Sequence, residues 1–276
     1  MNPAFERFVS LLELEVLDRD LFRGANPGSV GPGRVFGGQV AGQAMQAAAA
    51  TVEVEHHPHS LHASFLRPGR RGTPIIYQVD RIRDGRSFTT RRVVGIQHGE
   101  AIFSLTASFH VLEASPEHQL PLPPDVPPPD RCEREEPGQH HIHHHPFDIR
   151  ELEPPAVVDG RPAASTRRMW VRTDGRLPDE PAVHASVVAF LSDMGPVGAA
   201  RRALRRKGEA GEMMGASLDH TLWFHRPLRA DEWLLYDLEA VAVAGARGLS
   251  RGTLSTEDGV LVASVAQEVL LRPIQR

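Results

Sequence analysis

Cysteine is almost missing from this chain of 276 residues. Cys132 stands alone, which excludes an internal disulfide framework and fits a reducing compartment. A basic excess is missing too. With 31 Lys and Arg against 35 Asp and Glu the formal net charge is −4, so the chain as a whole offers nucleic acid no attraction. No apolar run approaches membrane-spanning length, and membrane insertion is not expected. The N-terminal MNPAFERFVSLLELE lacks the basic flank and cleavage site of a signal peptide, and the C-terminal RPIQR is neither a peroxisomal nor an ER address. These absences leave a cytoplasmic protein as the expectation, long enough for one large domain or two small ones.

What the chain does have is a long repeat. Ser60 to Gly69 reads SLHASFLRPG, and Ser217 onward reads SLDHTLWFHRP. Ser-Leu followed by a histidine, then Arg-Pro, recur about 160 residues apart. The echo continues: Ile75-Ile76-Tyr77 with Leu234-Leu235-Tyr236, Arg86-Ser87-Phe88 with Arg247-Gly248-Leu249, and GEAIFS from Gly99 with GVLVAS from Gly259. A period this long indicates one module present twice. The expected division is 1–112, a Pro/His-rich linker 113–146, and 147–276.

In the first module the spacing predicts a helix over Phe5–Leu14, a strand over Leu14–Phe22, and a loop over Ala25–Gly33. Gly37-Gly38-Gln39 opens a second helix reaching Thr51, with an interior of alanines that lets it lie close against a sheet. The paired glycines serve either a tight turn or a ligand oxygen facing bare N–H groups at the positive helix end. Period-two alternation then predicts strands over Leu61–Leu66, Ile75–Ile82, Ser87–Gln97 and Ala101–Val111. In the linker, PLPPDVPPPD is expected to be extended and exposed. The histidines at 140–145 read as an exposed connector rather than a metal site, because a polar linker gives them no fixed scaffold.

The second module repeats the plan. Strands are expected at Phe147–Leu152 and Arg168–Arg172, and a helix from Pro181, capped by Asp179 or Glu180 and ended by Gly195-Pro196. The Arg-rich Gly198–Gly211 reads as an excursion or loop, with RRALRRK a solvated face in preference to a basic helix turn near a phosphate. Four further strands follow, over Gly215–Phe224, Trp233–Ala242, Arg247–Ser255 and Val260–Leu271. Asp193, at the edge of the helix's apolar stripe, opposes the macrodipole there; it is either a solvated surface residue or a general base. Gln267, amid Val265, Ala266 and Val269, is either a satisfied core amide or one aimed at water.

Six segments, VFGGQVAGQA, HSLHASFLRPG, RDGRSFTTRRVVGIQHGEAIFSLTASF, FLSDMG, ASLDHTLWFHRPLRADEWLLY and DGVLVASVAQEVLLR, occur in one order. Together they resemble the type II acyl-CoA thioesterases (TesB-like). The resemblance implies an α+β double hotdog, two curved antiparallel sheets each wrapped around a helix. It implies hydrolysis of fatty acyl-CoA to fatty acid and CoA, with no metal, no cofactor and no covalent nucleophile. Carried over by motif, the water-activating trio is Asp193, Ser217 and Gln267. Ser217 stands where the family also uses Thr, and Val269 where it often has Gly, next to the acyl tunnel. Gly37 and Gly38 would line the facing cavity, and Arg67, Arg91 and Arg92 are candidates for the CoA phosphates. Assembly into dimers or tetramers is expected from the family. A non-catalytic acyl-CoA sensor is the alternative. A hydratase is disfavoured, since His184 lies nine residues before Asp193, and His220 and Asp219 are strand neighbours that point to opposite faces.

Overall fold

In a computed structural model, which describes residues 2–27, 33–124, 126–134, 146–152, 157–158, 161–162, 166–206 and 212–274, both halves run from helix to meander. The first half holds α1 (Pro3–Leu12), β1 (Leu14–Asp18), β2 (Leu21–Gly24), α2 (Gly37–Ala49), β3 (His56–Phe65), β4 (Ile75–Asp84), β5 (Phe88–Gln97) and β6 (Glu100–Val111). The second holds β7 (Phe147–Leu152), the short pair β8 (Val157–Val158) and β9 (Arg161–Pro162), β10 (Thr166–Thr173), α3 (Pro181–Ser192) and α4 (Pro196–Arg206). Its meander is β11 (Met213–Ser217), β12 (Asp219–Phe224), β13 (Leu234–Ala244), β14 (Arg247–Thr256) and β15 (Leu261–Pro273).

The two echoed stretches become β3 and β12, and they pair with each other. Strand order is β1-β2-β4-β5-β6-β3-β12-β15-β14-β13-β10-β7, so one antiparallel sheet runs through both halves with the β3–β12 seam inside it. Ser60 faces Trp223 and Ser64 faces Asp219, with His62 opposite Thr221 at the centre. The Arg67-Pro68 and Arg226-Pro227 pairs are offset by 159 residues, and that offset also carries His62 onto Thr221. The seam is therefore centred on equivalent residues, which is the signature of a pseudo-twofold axis. The counterparts Tyr77 and Tyr236 behave alike. Both are buried, and each hydroxyl donates to a helix, Tyr77 to Gln43 Oε1 and Tyr236 to Ser192 O.

The core lies inside the curve of this sheet. Ala41, Ala44, Met45 and Ala48 of α2 and Val187, Val188 and Leu191 of α3 pack with Leu61, Leu105, Leu222 and Leu254 from the strands. The small residues of α2 admit a helix as well as a sheet. A Cβ on Gly38 would lie 2.2 Å from Phe190 O, and one on Gly42 2.9 Å from Ser186 O. Steps of four along both helices thus bring α2 and α3 backbone to backbone, antiparallel, in the middle of the molecule.

Several sequence expectations are corrected. The strand expected over Leu14–Phe22 is the hairpin β1–β2, turned by Asp20 at φ 58°. The Arg-rich stretch, as far as Arg206, belongs to helix α4, whose Ala200 is buried with Ala240, Val269 and Leu271. Val269 therefore fills the α4 side of the core. Glu180 occupies the N-cap of α3, but no side chain caps that end. By length and hydropathy alone Pro181–Leu204 could cross a membrane, although 72% of that window is buried here as core. The proline-rich linker is not simply exposed. Leu122, Val126 and Cys132 cover Leu152, Trp170 and Leu235, and the Trp170 indole N–H donates to Pro127 O. The histidines at 140–145 lie outside the described residues. Part of the loop at Ala25–Gly33 does too.

Candidate active site

The bend between α3 and α4 places the carboxylate. Helix α3 stops at Ser192, and Asp193 is its C-cap at φ −75°, ψ −8°. Gly195 follows where a Cβ would lie 2.0 Å from Leu238 Cδ1, and Pro196 starts α4. The missing side chain at Gly195 leaves room for Leu238 to pack against the turn. Asp193 is 6% exposed, so the solvated-surface reading does not hold.

Two strands supply its partners. Ser217 ends β11, and Gln267 is fully buried in β15. The Ser217 hydroxyl donates to Asp193 Oδ1 at 2.7 Å. Gln267 Nε2 donates to the same oxygen at 2.7 Å and to Ser217 Oγ at 2.8 Å. Three residues spread over 75 positions of sequence thus close one hydrogen-bonded triangle.

The first module closes the other side. The Gly38 backbone N–H donates to the Asp193 carboxylate. A Cβ on Gly37 would lie 2.7 Å from Asp193 Oδ2 and from Phe65 Cε1. The positive end of α2 therefore faces the carboxylate, where it offsets the unfavourable end of α3. Burial dominates the electrostatics and raises the Asp193 carboxyl above its ordinary value, against the opposing pull of His220, Ser217, Gln267 and Gly38. A carboxylate shifted upward and held in place by donors on one oxygen is suited to take a proton on the other.

His220 is a site residue that the strand alternation hid. It is fully buried, with Nδ1 2.6 Å from Gln267 Oε1 and Nε2 2.8 Å from Ser192 Oγ. The break at Leu218, between β11 and β12, resets the alternation, so Ser217 and His220 both reach Gln267 although an odd number of residues apart. The polar Asp219-His220 pair inside an apolar strand was the available signal.

The three arginines part company. Arg91 is 1% exposed, and its five N–H donors go to Thr51 Oγ1, Thr51 O, Arg83 O, Thr90 O and Asp84. None remains for a phosphate. It also sits by the far end of α2, about 20 Å from Gly37 at 1.5 Å per residue. Arg92, beside Asp80, points to the opposite sheet face, away from α2. Arg67 is half exposed, donates to Ala101 O, and follows two residues after the Phe65 that lines Gly37. Among the described residues no group of three or more His, Cys, Asp or Glu is placed to hold a metal.

Comparison with known proteins gives the family. The acyl-CoA thioesterase N-terminal domain family model matches residues 26–110, and the acyl-CoA thioesterase C-terminal domain model matches 116–271. The chain is 38% identical to mouse acyl-coenzyme A thioesterase 8, over 95% of this chain and 88% of that one. It is 33% identical to acyl-CoA thioesterase 2 of Haemophilus influenzae, over 99% of each. Among solved structures, an acyl-CoA thioesterase II TesB2 from Mycobacterium marinum superposes with a TM-score of 0.83 at 39% identity, covering 96% of this chain and 98% of that one.

Proposed function

Because the chain belongs to the type II acyl-CoA thioesterases and is an acyl-CoA thioester hydrolase of double hotdog fold, we propose that Asp193, Ser217 and Gln267 are its catalytic residues and act on a water molecule. The observation that carries this is the convergence of all three on Asp193 Oδ1, which leaves Oδ2 facing the side-chain-free opening of α2. Water held at Oδ2 gives its proton to Asp193 as its oxygen bonds to the thioester carbonyl carbon. The backbone N–H of Gly37, at the positive end of α2, stabilises the oxyanion, while that of Gly38 stays with the Asp193 carboxylate. The C–S bond then breaks, and Asp193 returns the proton to the departing thiolate, leaving a fatty acid and CoA. These atoms balance without a cofactor. A thioester is activated enough to need a positioned water and no enzyme nucleophile.

In this reading residues 1–112 supply the wall and the helix opening, 147–276 supply the chemistry, and 113–146 links them. Arg67 is the candidate for a CoA phosphate. The working environment is the cytoplasm, the role is in fatty acid metabolism, and the assembly is a dimer or tetramer of double hotdogs. The sensor reading is disfavoured, since a binding protein has no use for a buried carboxylate with two dedicated donors.

The test is free-thiol release from acyl-CoAs of increasing chain length, for the native protein and for Asp193→Asn. The variant is expected to lose kcat by roughly 10²–10⁴-fold, the range for general-base catalysis, while KM stays within a few-fold. Equal rates would remove Asp193 from the mechanism.

A further inference from the structure

The hydrogen atoms around Gln267 can be counted. Gln267 Nε2 directs its two hydrogens to Asp193 Oδ1 and Ser217 Oγ, and the Ser217 hydrogen goes to Asp193. Gln267 Oε1 must therefore accept, and the group facing it is His220 Nδ1 at 2.6 Å. So Nδ1 carries a hydrogen. His220 Nε2 lies 2.8 Å from Ser192 Oγ, whose other contact, to Ala189 O, is stretched to 3.5 Å. The short contact is satisfied when the serine donates and Nε2 accepts, which is the neutral Nδ1–H tautomer. Complete burial of the ring also disfavours its charged form.

An amide has two ends of nearly equal shape. If Gln267 flipped, its carbonyl would face the Asp193 carboxylate, acceptor against acceptor, and no donor would reach Ser217. At the carbonyl end of Gln267, His220 Nδ1 is the side-chain partner among the described residues that opposes that flip.

We propose that His220 is a positioning residue for thioester hydrolysis: its Nδ1–H fixes the amide of Gln267 with nitrogen toward Asp193 and Ser217, and Ser192 holds the tautomer. This rests on the trio assigned under the proposed function. Ser192 is itself fixed, because its carbonyl accepts from Tyr236 at 2.7 Å, so the relay runs from the frame of the second module to the reacting water.

Two measurements test it. In the native protein, ¹⁵N resonances of labelled histidine, with His220 identified by its loss in His220→Asn, should show a neutral ring protonated at Nδ1, whereas histidine in water favours Nε2–H. An Nε2–H or cationic ring overturns the proposal. In kinetics, His220→Leu should lower kcat by roughly 10–100-fold, the usual range for an orienting hydrogen bond behind a ligating group, with KM within about twofold. His220→Asn carries an N–H near the position of Nδ1 and should recover most of that loss. Equal losses in the two variants, both folded by circular dichroism, would mean the hydrogen bond is not what matters. If His220→Leu fails to fold, the native tautomer and the Asn variant still decide. Asp193→Asn, assayed alongside, separates the failures. If it keeps the native rate, the trio is wrong; if it loses the rate while His220→Leu keeps it, only the positioning role falls.

Discussion

Two buried groups at the site titrate in opposed senses. Burial raises Asp193 above its ordinary 3.8, and in the proposed mechanism the carboxylate is the reactive form, so activity should fall as pH drops through that raised value. Its effect on stability has the other sign. Between 3.8 and the raised value the folded chain keeps a proton that the unfolded chain has released, so this group weakens the fold as pH rises through that window. His220 lies below its ordinary 6.5. As pH falls below 6.5 the unfolded ring gains a proton and the folded ring does not, so stability is lost on acidification. His184, also lowered by burial, adds to that trend, so the informative quantity is a difference. Thermal melts from about pH 7 to about pH 5 should show a smaller fall for His220→Asn than for the native protein, and parallel curves would count against the assignment. That Asp193, Ser217 and Gln267 come together was legible through the family resemblance, because each sits in a short, ordered segment. His220 was not, because alternation was read straight through Leu218, where the strand breaks. Arg91 misled for another reason: a sequence shows a charge and not the five acceptors that absorb its donors.

At the level of elements, the close approach of α2 to α3 is the most exacting contact. A Cβ on Gly38 would meet the Phe190 carbonyl, a backbone atom that moves only with α3. Gly38→Ala should therefore destabilise by about 1–3 kcal/mol through overpacking and lower activity as the helix opening shifts. Gly198→Ala is the matched control. Its Cβ would meet only the Arg167 side chain, no closer than 3.5 Å, and alanine in this first turn of α4 should gain roughly 0.4–1 kcal/mol by restricting the unfolded chain. Denaturant melts of the two variants that moved in the same direction would refute this account. The meander strands were legible because alternation and Gly-led turns leave local marks. Helix α4 was not, since Val197, Ala200 and Leu204 keep helical spacing but one of the three is an alanine among arginines. The first hairpin was missed because its turn uses Asp20 at positive φ in place of a glycine.

Over the whole molecule, the candidate site lies where the halves meet. The second half provides Asp193, Ser217, Gln267 and His220, and the first provides Gly37, Gly38 and the β3 edge that β12 pairs with. Residues 113–276 expressed alone should release no thiol from acyl-CoA, and co-expression with residues 1–112 should restore activity. Full activity from 113–276 by itself would show that the first half is dispensable. The duplication could be read from the echoed segments; that the copies meet along those same segments could not, because pairing partners leave no local mark. The pseudo-twofold seam has one more consequence. It sets a second helix end in the position that Asp193 occupies, and there α2 is capped by Ala50. By strand register the equivalents of Ser217 and Gln267 are Pro58 and Ala107, two residues out of step with the Ser60–Ser217 sequence echo. No side chain of that set can move a proton. The two copies thus divide the labour of the proposed mechanism, one contributing shape and the other chemistry.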